Sequence, residues 1–305
     1  MAGLKELRTR IEAVKSTEKI TSAMKMVAAA RLRKAQILID SSSGYKNTLQ
    51  TAANRILADI RQEEIIKKTK ISLPSMMTEN PGAKKYLLLL FSSDKGLCGS
   101  YNSNINKFAR RHIDELQKAG KDVRILCFGK KSYMFLKKHY PEQIIGNIDN
   151  IAKKGPDFAE SSEIAQKILE ICKNENADIC EAVFAKFNSA ISREIVAFQL
   201  FPIKIEESEP TSDKPINVFG DAYYGYEPNR NEFLERLLPM IFTANVFSLI
   251  VQSQASEHGA RMSSMDNATR NAKDMISELT LRYNTIRQSA ITTELIEIIA
   301  GAEAI

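Results

Sequence analysis

The run VQSQASEHGARMSSMDNATRNAKDMISELTLRYNTIRQSAITT, from Val251 to Thr293, decides the fold. Val251, Ala255, His258, Met262, Met265, Thr269, Ala272, Ile276, Leu279, Tyr283, Ile286, Ala290 and Thr293 follow one another by alternating steps of four and three. Such steps place these side chains on one seam of a helix that supercoils left-handedly with a partner. Between Met240 and Ala300 there is no proline and one glycine, Gly259. At 1.5 Å per residue the helix would be roughly 90 Å long, far beyond the mean helix of a compact domain. Thr269, Ala272, Ala290 and Thr293 are small, and His258 is polar. A coil built for stability alone would carry Leu and Ile there. The seam predicts a thin rod that lies against more than one surface.

Working outward, the other end of the chain carries a matching pattern. Leu4, Leu7, Ile11 and Val14 are spaced three, four and three. Glu18 then falls where an apolar residue is due, and an apolar stripe resumes at Ile20, Met24 and Val27 before Leu32, Ala35 and Ile39. That phase shift predicts a stutter in the supercoil, and Ser41–Gly44 predicts a weak point in the helix. Residues 1–40 carry a net charge of +5 and residues 246–305 a net of −2, signs that favour pairing of the two ends. Helices at opposite ends of one chain pair antiparallel when what lies between them folds as a separate unit. The expected architecture is therefore a long antiparallel coiled coil of N- and C-terminal helices with an inserted α/β domain.

The middle of the chain reads as that insert. Residues 61–85 hold Pro74, Pro81 and Gly82 without periodicity and read as a linker. Tyr86–Phe91 is an unbroken apolar run suited to a strand covered on both faces. A helix to about Ala119 follows, then a strand at 123–128, a helix over 130–139, a short strand near 144–148, a helix over 157–174 and strands at 179–187 and 194–205. The last two strands are joined by a short turn and predict an antiparallel hairpin. This alternation argues for an open, Rossmann-like sheet with helices on its faces. Residues 206–230 are loop-like. The expected divisions are a coiled-coil helix at 1–60, a linker at 61–85, the α/β domain at 86–206, a loop region at 207–230 and the C-terminal helix at 231–305.

Chemistry is scarce. Net charge is +6 over 305 residues, too mild to argue for nucleic acid, and no aromatic residues interleave with the basic run Arg31–Lys34. Cys98, Cys127, Cys172 and Cys180 form no C-x-x-C pair and have no His at ligand spacing, so neither a metal nor a cofactor is expected. The loop Ser92–Asn102 carries Gly96 and Gly99, which fit a strand-to-helix turn better than G-x-G-x-x-G. Gly129–Ser132 resembles the end of a P-loop, but Arg124 stands where its first glycine belongs. No base is framed to activate Cys98, and His258 in the seam has an ordinary titration range near neutrality. Leu237–Ser256 is uncharged and of spanning length, yet too rich in Ser, Gln and Asn for lipid, so no transmembrane segment is expected. No signal peptide is expected ahead of the first helix.

Several blocks, in order along the chain, resemble the γ subunits of rotary ATP synthases. They are Ile20–Ala30, Ser93–Gly99, Tyr226–Pro228, Ser256–Met262 and Tyr283–Gly301. The resemblance implies a central rotor shaft without a catalytic site of its own. Its partners would be the ring of α and β subunits, the ε subunit and the membrane c-ring, at the cytoplasmic face of a bacterial inner membrane or the matrix side of a mitochondrion. It implies that Met24, Arg261, Arg287, Gln288, Thr292 and Glu294 meet the catalytic β ring. Leu295, Ile296, Ile298 and Ile299 would form a bearing tip, and Tyr226 and Glu227 would meet the c-ring and ε. Without the resemblance, a coiled-coil scaffold carrying an α/β binding module fits the same pattern.

Overall fold

A computed structural model describes residues 2–67, 74–78, 80–151, 155–204 and 229–303. Helix α1 (Ala2–Lys67) and helix α5 (Arg230–Glu303) run antiparallel along one another. Helix α1 enters the stretch read as a linker, as far as Lys67. Helix α5 begins ten residues before the proline-free run and passes through Pro239. At 1.5 Å per residue α5 is about 110 Å long. The register is fixed by side chains: Thr269 Oγ1 donates to Thr21 Oγ1 at 2.8 Å, and Lys25 Nζ lies 2.5 Å from Asp266 Oδ1.

The α5 seam is as expected as far as Leu279, with Val251, Ala255, His258, Met265, Thr269, Ala272 and Leu279 buried; beyond it Tyr283 and Ala290 are half-buried and Ile286 and Thr293 are exposed. The α1 seam differs from expectation. No stutter is present, because the heptad continues in phase through Glu18, Thr21, Lys25 and Ala28 to Leu32 and Ala35. Polar residues hold the seam where their partners sit across it, as Thr269 does for Thr21 and Asp266 for Lys25. Ile20 and Val27, read as core, point outward instead at 58% and 55% exposure. The expected weak point is continuous helix. Ser41, Ser42 and Ser43 each donate to the carbonyl three residues back, and the tertiary contacts of α1 override weak local propensity.

Between the helices lies a sheet in the order β3-β2-β1-β4-β5. Its strands are β1 (Lys85–Phe91), β2 (Asp122–Phe128), β3 (Ile144–Ile148), β4 (Ile179–Phe187) and β5 (Arg193–Phe201). The first four are parallel and β5 is antiparallel to β4. Alternation along β1 assigns its two faces. Leu88 and Leu90 pack with α2 (Tyr101–Lys118) and α3 (Lys130–Leu136). Leu87, Leu89 and Phe91 pack with α4 (Phe158–Asn174), with α5 through Leu234, Leu238, Ile241 and Phe242, and with α1 through Ala53, Ile56 and Ile60. The uncharged run Leu237–Ser256 is thus apolar because it is core on two sides. All four cysteines are buried in these layers.

The upper edge of the sheet is joined to α5 by polar contacts. Ser256 Oγ donates to the Ala185 carbonyl at 2.8 Å, and Tyr101 Oη donates to the Ser253 carbonyl at 3.2 Å. Gly259 faces the β4–β5 turn, where a Cβ would stand 3.0 Å from the Ala190 carbonyl oxygen. Arg261 pairs with Glu257 at 2.8 Å and donates to the carbonyls of Gly96 (3.3 Å) and Lys95 (3.5 Å). Burial pushes the Glu257 carboxyl up against the pull of Arg261. Burial, with the Arg261 and Arg31 charges, holds His258 down at about 4. His258 is therefore neutral near pH 7, and its Nδ1 accepts from Arg261 at 3.4 Å.

Two outcomes are expected of this joint. Gly259→Ala should be near neutral, its helix propensity of about 1 kcal/mol offsetting the tight contact. Gly259→Val should cost about 2 kcal/mol by overpacking, read as a lower urea midpoint. For His258, a folded value near 4 against an unfolded value near 6.5 means the unfolded chain binds the proton more readily. The stability concerned is fully present above pH 6.5 and is lost as pH falls towards 4, by about 3 kcal/mol. His258→Gln should remove that slope. Taking wild type minus variant cancels Glu257, whose raised value acts with opposite sign, and Asp266, which titrates at about 2. An unchanged slope in the variant would show that His258 is not the group responsible.

Candidate functional surface

In a doubly wound sheet, ligands enter the crevice at the carboxyl ends of the strands where strand order reverses. Here that point lies between β1 and β4. Residues of α5 fill it: Ser253, Ser256, Glu257 and Arg261 all bond or pack there. What remains is a cavity of about 50 Å³ bounded by Phe91, Ser92, Phe128, Ile250, Gln254 and Glu257. The loop after β1 is closed on itself. Ser93 is buried and donates to the Lys95 carbonyl at 2.6 Å, and Asn102 Nδ2 reaches Ser93 Oγ at 2.8 Å and Cys98 Sγ at 3.2 Å. Cys98 is thus a packed member of the turn. Gly99 has φ +59°, the conformation a tight strand-to-helix turn asks of glycine. Gly129 has φ +106°, and a Cβ there would overlap the Ser92 carbonyl. Its backbone meets a strand neighbour, the reason for a glycine ahead of Lys130–Ser132. Asp94 ties both following loops by accepting from the Lys130 and Asn150 amides.

Among the described residues, a run of exposed apolar side chains lies elsewhere, on the coil. Carried forward from the Thr21–Thr269 pair, the antiparallel register brings Ala2 level with Gln288. From Ser289 to Glu303 helix α5 has no second helix beside it among the described residues. There Ile291, Leu295, Ile296, Ile298 and Ile299 are exposed, the last four at 53–68%. Of the residues expected to meet a partner, Thr292 and Glu294 lie on this bare end and Arg287 and Gln288 are exposed just before it, and Thr292 donates to the Gln288 carbonyl. Lower on the coil, Ile20, Met26 and Val27 are exposed on the outer side of α1, with Met24 half-buried beside them. Arg261 differs from the others: its side chain is 12% exposed and engaged with the Gly96 loop. Tyr226 and Glu227 lie outside the described residues.

The reading from periodicity missed two features. Ile20 and Val27 are surface, and Met26 joins them at 65% exposure. The signal was the strict heptad itself, which reaches Thr21, Lys25 and Ala28 when followed without regard to polarity. The second is a charge bridge across the coil. Asp266 is pulled down to about 2 by hydrogen bonds from Arg270 and Lys25, the Lys25 bond crossing from α1.

A sequence-family model described as ATP synthase matches residues 3–305. Relatives named ATP synthase gamma chain match along their whole length and along all of this chain. Those from Erythrobacter litoralis and Rhodospirillum rubrum are 42% and 41% identical. The fold is shared with a chain of the Tetrahymena thermophila mitochondrial ATP synthase central stalk/c-ring structure, with TM-score 0.56, 22% identity and coverage of 82% of this chain and 99% of that one. It is shared also with a chain of the Euglena gracilis mitochondrial ATP synthase, with TM-score 0.52, 18% identity and coverage of 90% and 95%. A coiled coil of the chain's two ends, a sheet inserted between them and relatives of this identity over full length lead to one conclusion: the chain belongs to the ATP synthase gamma chain family.

Proposed function

We propose that this chain is the central rotor shaft of a rotary ATP synthase, coupling ion flow through a membrane c-ring to ATP synthesis and hydrolysis in the ring of α and β subunits. The observation that carries this reading is the end of α5, where Ile291, Leu295, Ile296, Ile298 and Ile299 are exposed on a helix with no second helix beside it among the described residues. A helix of that kind is marginal in water and calls for a sleeve. Non-directional apolar contact suits a sleeve in which the helix turns, because no hydrogen bond has to break at each angle. Leu295, Ile296, Ile298 and Ile299 form that bearing. Arg287, Gln288, Thr292 and Glu294 lie where the helix enters it, towards the catalytic β subunits. Tyr226 and Glu227 belong to the foot, against the c-ring and ε. The complex is membrane-associated, and this chain sits on the cytoplasmic face of a bacterial inner membrane.

The chain's own chemistry is contact. Nucleotides bind on the α and β subunits, and the shaft biases which site holds them. Its sides are unlike one another: one shows Ile20, Met26 and Val27, another the α5 surface around Arg270 and Lys273. Three β subunits around such a rod meet three different surfaces. A contact shifts an equilibrium only by its differential energy. Driving one subunit from 1:99 to 99:1 takes about 5.5 kcal/mol, which two or three newly buried apolar side chains at about 1.5–3 kcal/mol each can supply. Arg261 acts from within, holding the sheet domain to the shaft so that both turn together.

Reconstitution with α and β subunits tests the reading. Full-length chain should support rapid ATP hydrolysis, and removal of residues 288–305 should lower it several-fold. Full activity without them would remove the bearing from the account. Met24→Lys should retain hydrolysis but lose proton pumping, since an added ammonium on that outer face can pair with carboxylates of β and hold the shaft. Unchanged pumping in that variant would place Met24 outside the coupling contact.

A further inference from the structure

The charge of this chain is concentrated on one face that the shaft role does not use. Residues 101–140 hold ten Lys or Arg and three acids, a net of +7, whereas the whole chain carries +6. These residues form α2, β2 and α3. Helices α2 and α3 cover the side of the sheet turned away from α1 and α4. Eight of the ten basic residues are exposed. Arg111 pairs with Glu115 and Lys130 with Asp149. Lys107, Lys118, Lys131, Lys137 and Lys138 have no carboxylate partner among the described residues.

The placement of these lysines along the shaft is directional. Residue numbers along α5 rise from the foot to the bearing tip. Helix α2 starts at the upper edge, where Tyr101 bonds Ser253, and descends to Lys118. Helix α3 starts after the upper end of β2 and leads down through Lys137 and Lys138 to the start of β3. Three of the five lysines therefore lie towards the foot, the end that faces the membrane if the rotor reading holds. Met134, 62% exposed, stands among them.

We infer that this basic α2–α3 face is a docking surface for anionic phospholipid headgroups. Two arguments favour a lipid surface over an acidic protein. First, the face is lysine-rich, and lysine is depleted at the cores of protein interfaces, where Tyr, Trp and Arg serve as anchors. Long hydrated ammonium groups suit the diffuse attraction of an anionic leaflet. Second, the face lies off the shaft axis. A stationary acidic protein would attract it at one angle and resist turning. A membrane is the same in every direction around the axis, so it draws the rotor towards the bilayer without favouring any angle. The inference uses the rotor reading for orientation and for this second argument.

The test is co-flotation of the full-length chain with phosphatidylglycerol or phosphatidylcholine vesicles at about 0.15 M salt, where unpaired surface charge still acts within roughly 8 Å. The chain should bind the anionic vesicles and not the neutral ones. Replacing Lys107, Lys118, Lys131, Lys137 and Lys138 by Gln should lower the partition by at least roughly tenfold. A control with Lys15, Lys19, Arg33 and Lys34 of α1 replaced by Gln should bind as before. A circular-dichroism melt establishes that each variant folds, and raising the salt on the wild-type chain should reproduce the loss without any substitution. Absent binding, equal binding to both vesicles, loss in the α1 control alone, or capture by an acidic subunit without vesicle binding would each overturn the inference. Activation of ATP hydrolysis by the five-Gln variant in the αβ reconstitution keeps the two readings apart. If the wild-type chain supports hydrolysis but does not bind the anionic vesicles, the lipid surface is wrong and the shaft stands. If neither chain supports hydrolysis, the shaft reading has failed.

Discussion

The structure depends on one helix serving two cores. The lower part of α5 gives Leu234, Leu237, Leu238, Ile241, Phe242, Leu249 and Ile250 to a core shared by the sheet, α4 and the end of α1. Its upper part gives Met265, Thr269 and Ala272 to a narrow seam along α1. Large aliphatic side chains contribute about 1.5–3 kcal/mol each on burial, and Ala or Thr much less. Cohesion therefore falls along the rod. The foot is anchored to a folded domain, the middle is a coil held by small residues, and the tip has no second helix beside it among the described residues. Such a gradient makes the free end dependent on what surrounds it, as a shaft inside a sleeve requires.

Between the two parts, at Ser253–Arg261, α5 changes from apolar anchor to polar joint. It fills the switch-point crevice where a doubly wound sheet would otherwise receive a ligand. The small residues have a reason there. Gly259 lets the helix reach the turn between β4 and β5, and Ser256 bonds the end of β4. Arg261 then binds two carbonyls of the loop after β1. The Ser93–Gly99 block is thus a fitting that holds the sheet to the shaft, with Gly99 and Ser93 setting its turn and Cys98 packed inside it.

Much of this was legible in the sequence. The α5 seam follows from steps of three and four, and the order of strands and helices from apolar runs and their punctuation. The parts that were not legible share a cause. Tracking apolar residues chose Ile20 and Val27 over Thr21 and Lys25, because a polar residue in a seam is satisfied only by its opposite number, which a single helix does not reveal. Ser41–Gly44 read as a break because local propensity is weak, and packing outweighs it. His258 was placed correctly in the seam, but its low titration point depends on burial and on Arg261 and Arg31 around it. Arg261 was singled out by resemblance, and only the fold shows its guanidinium turned inward.

The polar pairs in the seam act on register more than on energy. Lys25 and Asp266 are partly exposed, and solvent screening leaves ion pairs of that kind little energy. A seam of alanines, threonines and methionines is nearly the same after a slip of one heptad, so apolar packing alone would leave two alignments close in energy. A slip separates Thr21 from Thr269 and Lys25 from Asp266 together, leaving each hydroxyl only the bond to its own helix, Thr21 to the Glu18 carbonyl and Thr269 to the Met265 carbonyl. In coiled coils such polar positions select one register at some cost in stability. One heptad is about 10 Å along the axis. The helix that carries the tip is fixed to the sheet domain at Arg261, so an α1 slip of that size would cover or uncover about two turns' worth of side chains on the exposed α5 end. A modest hydroxyl pair and one ion pair therefore determine how much bare helix the shaft presents.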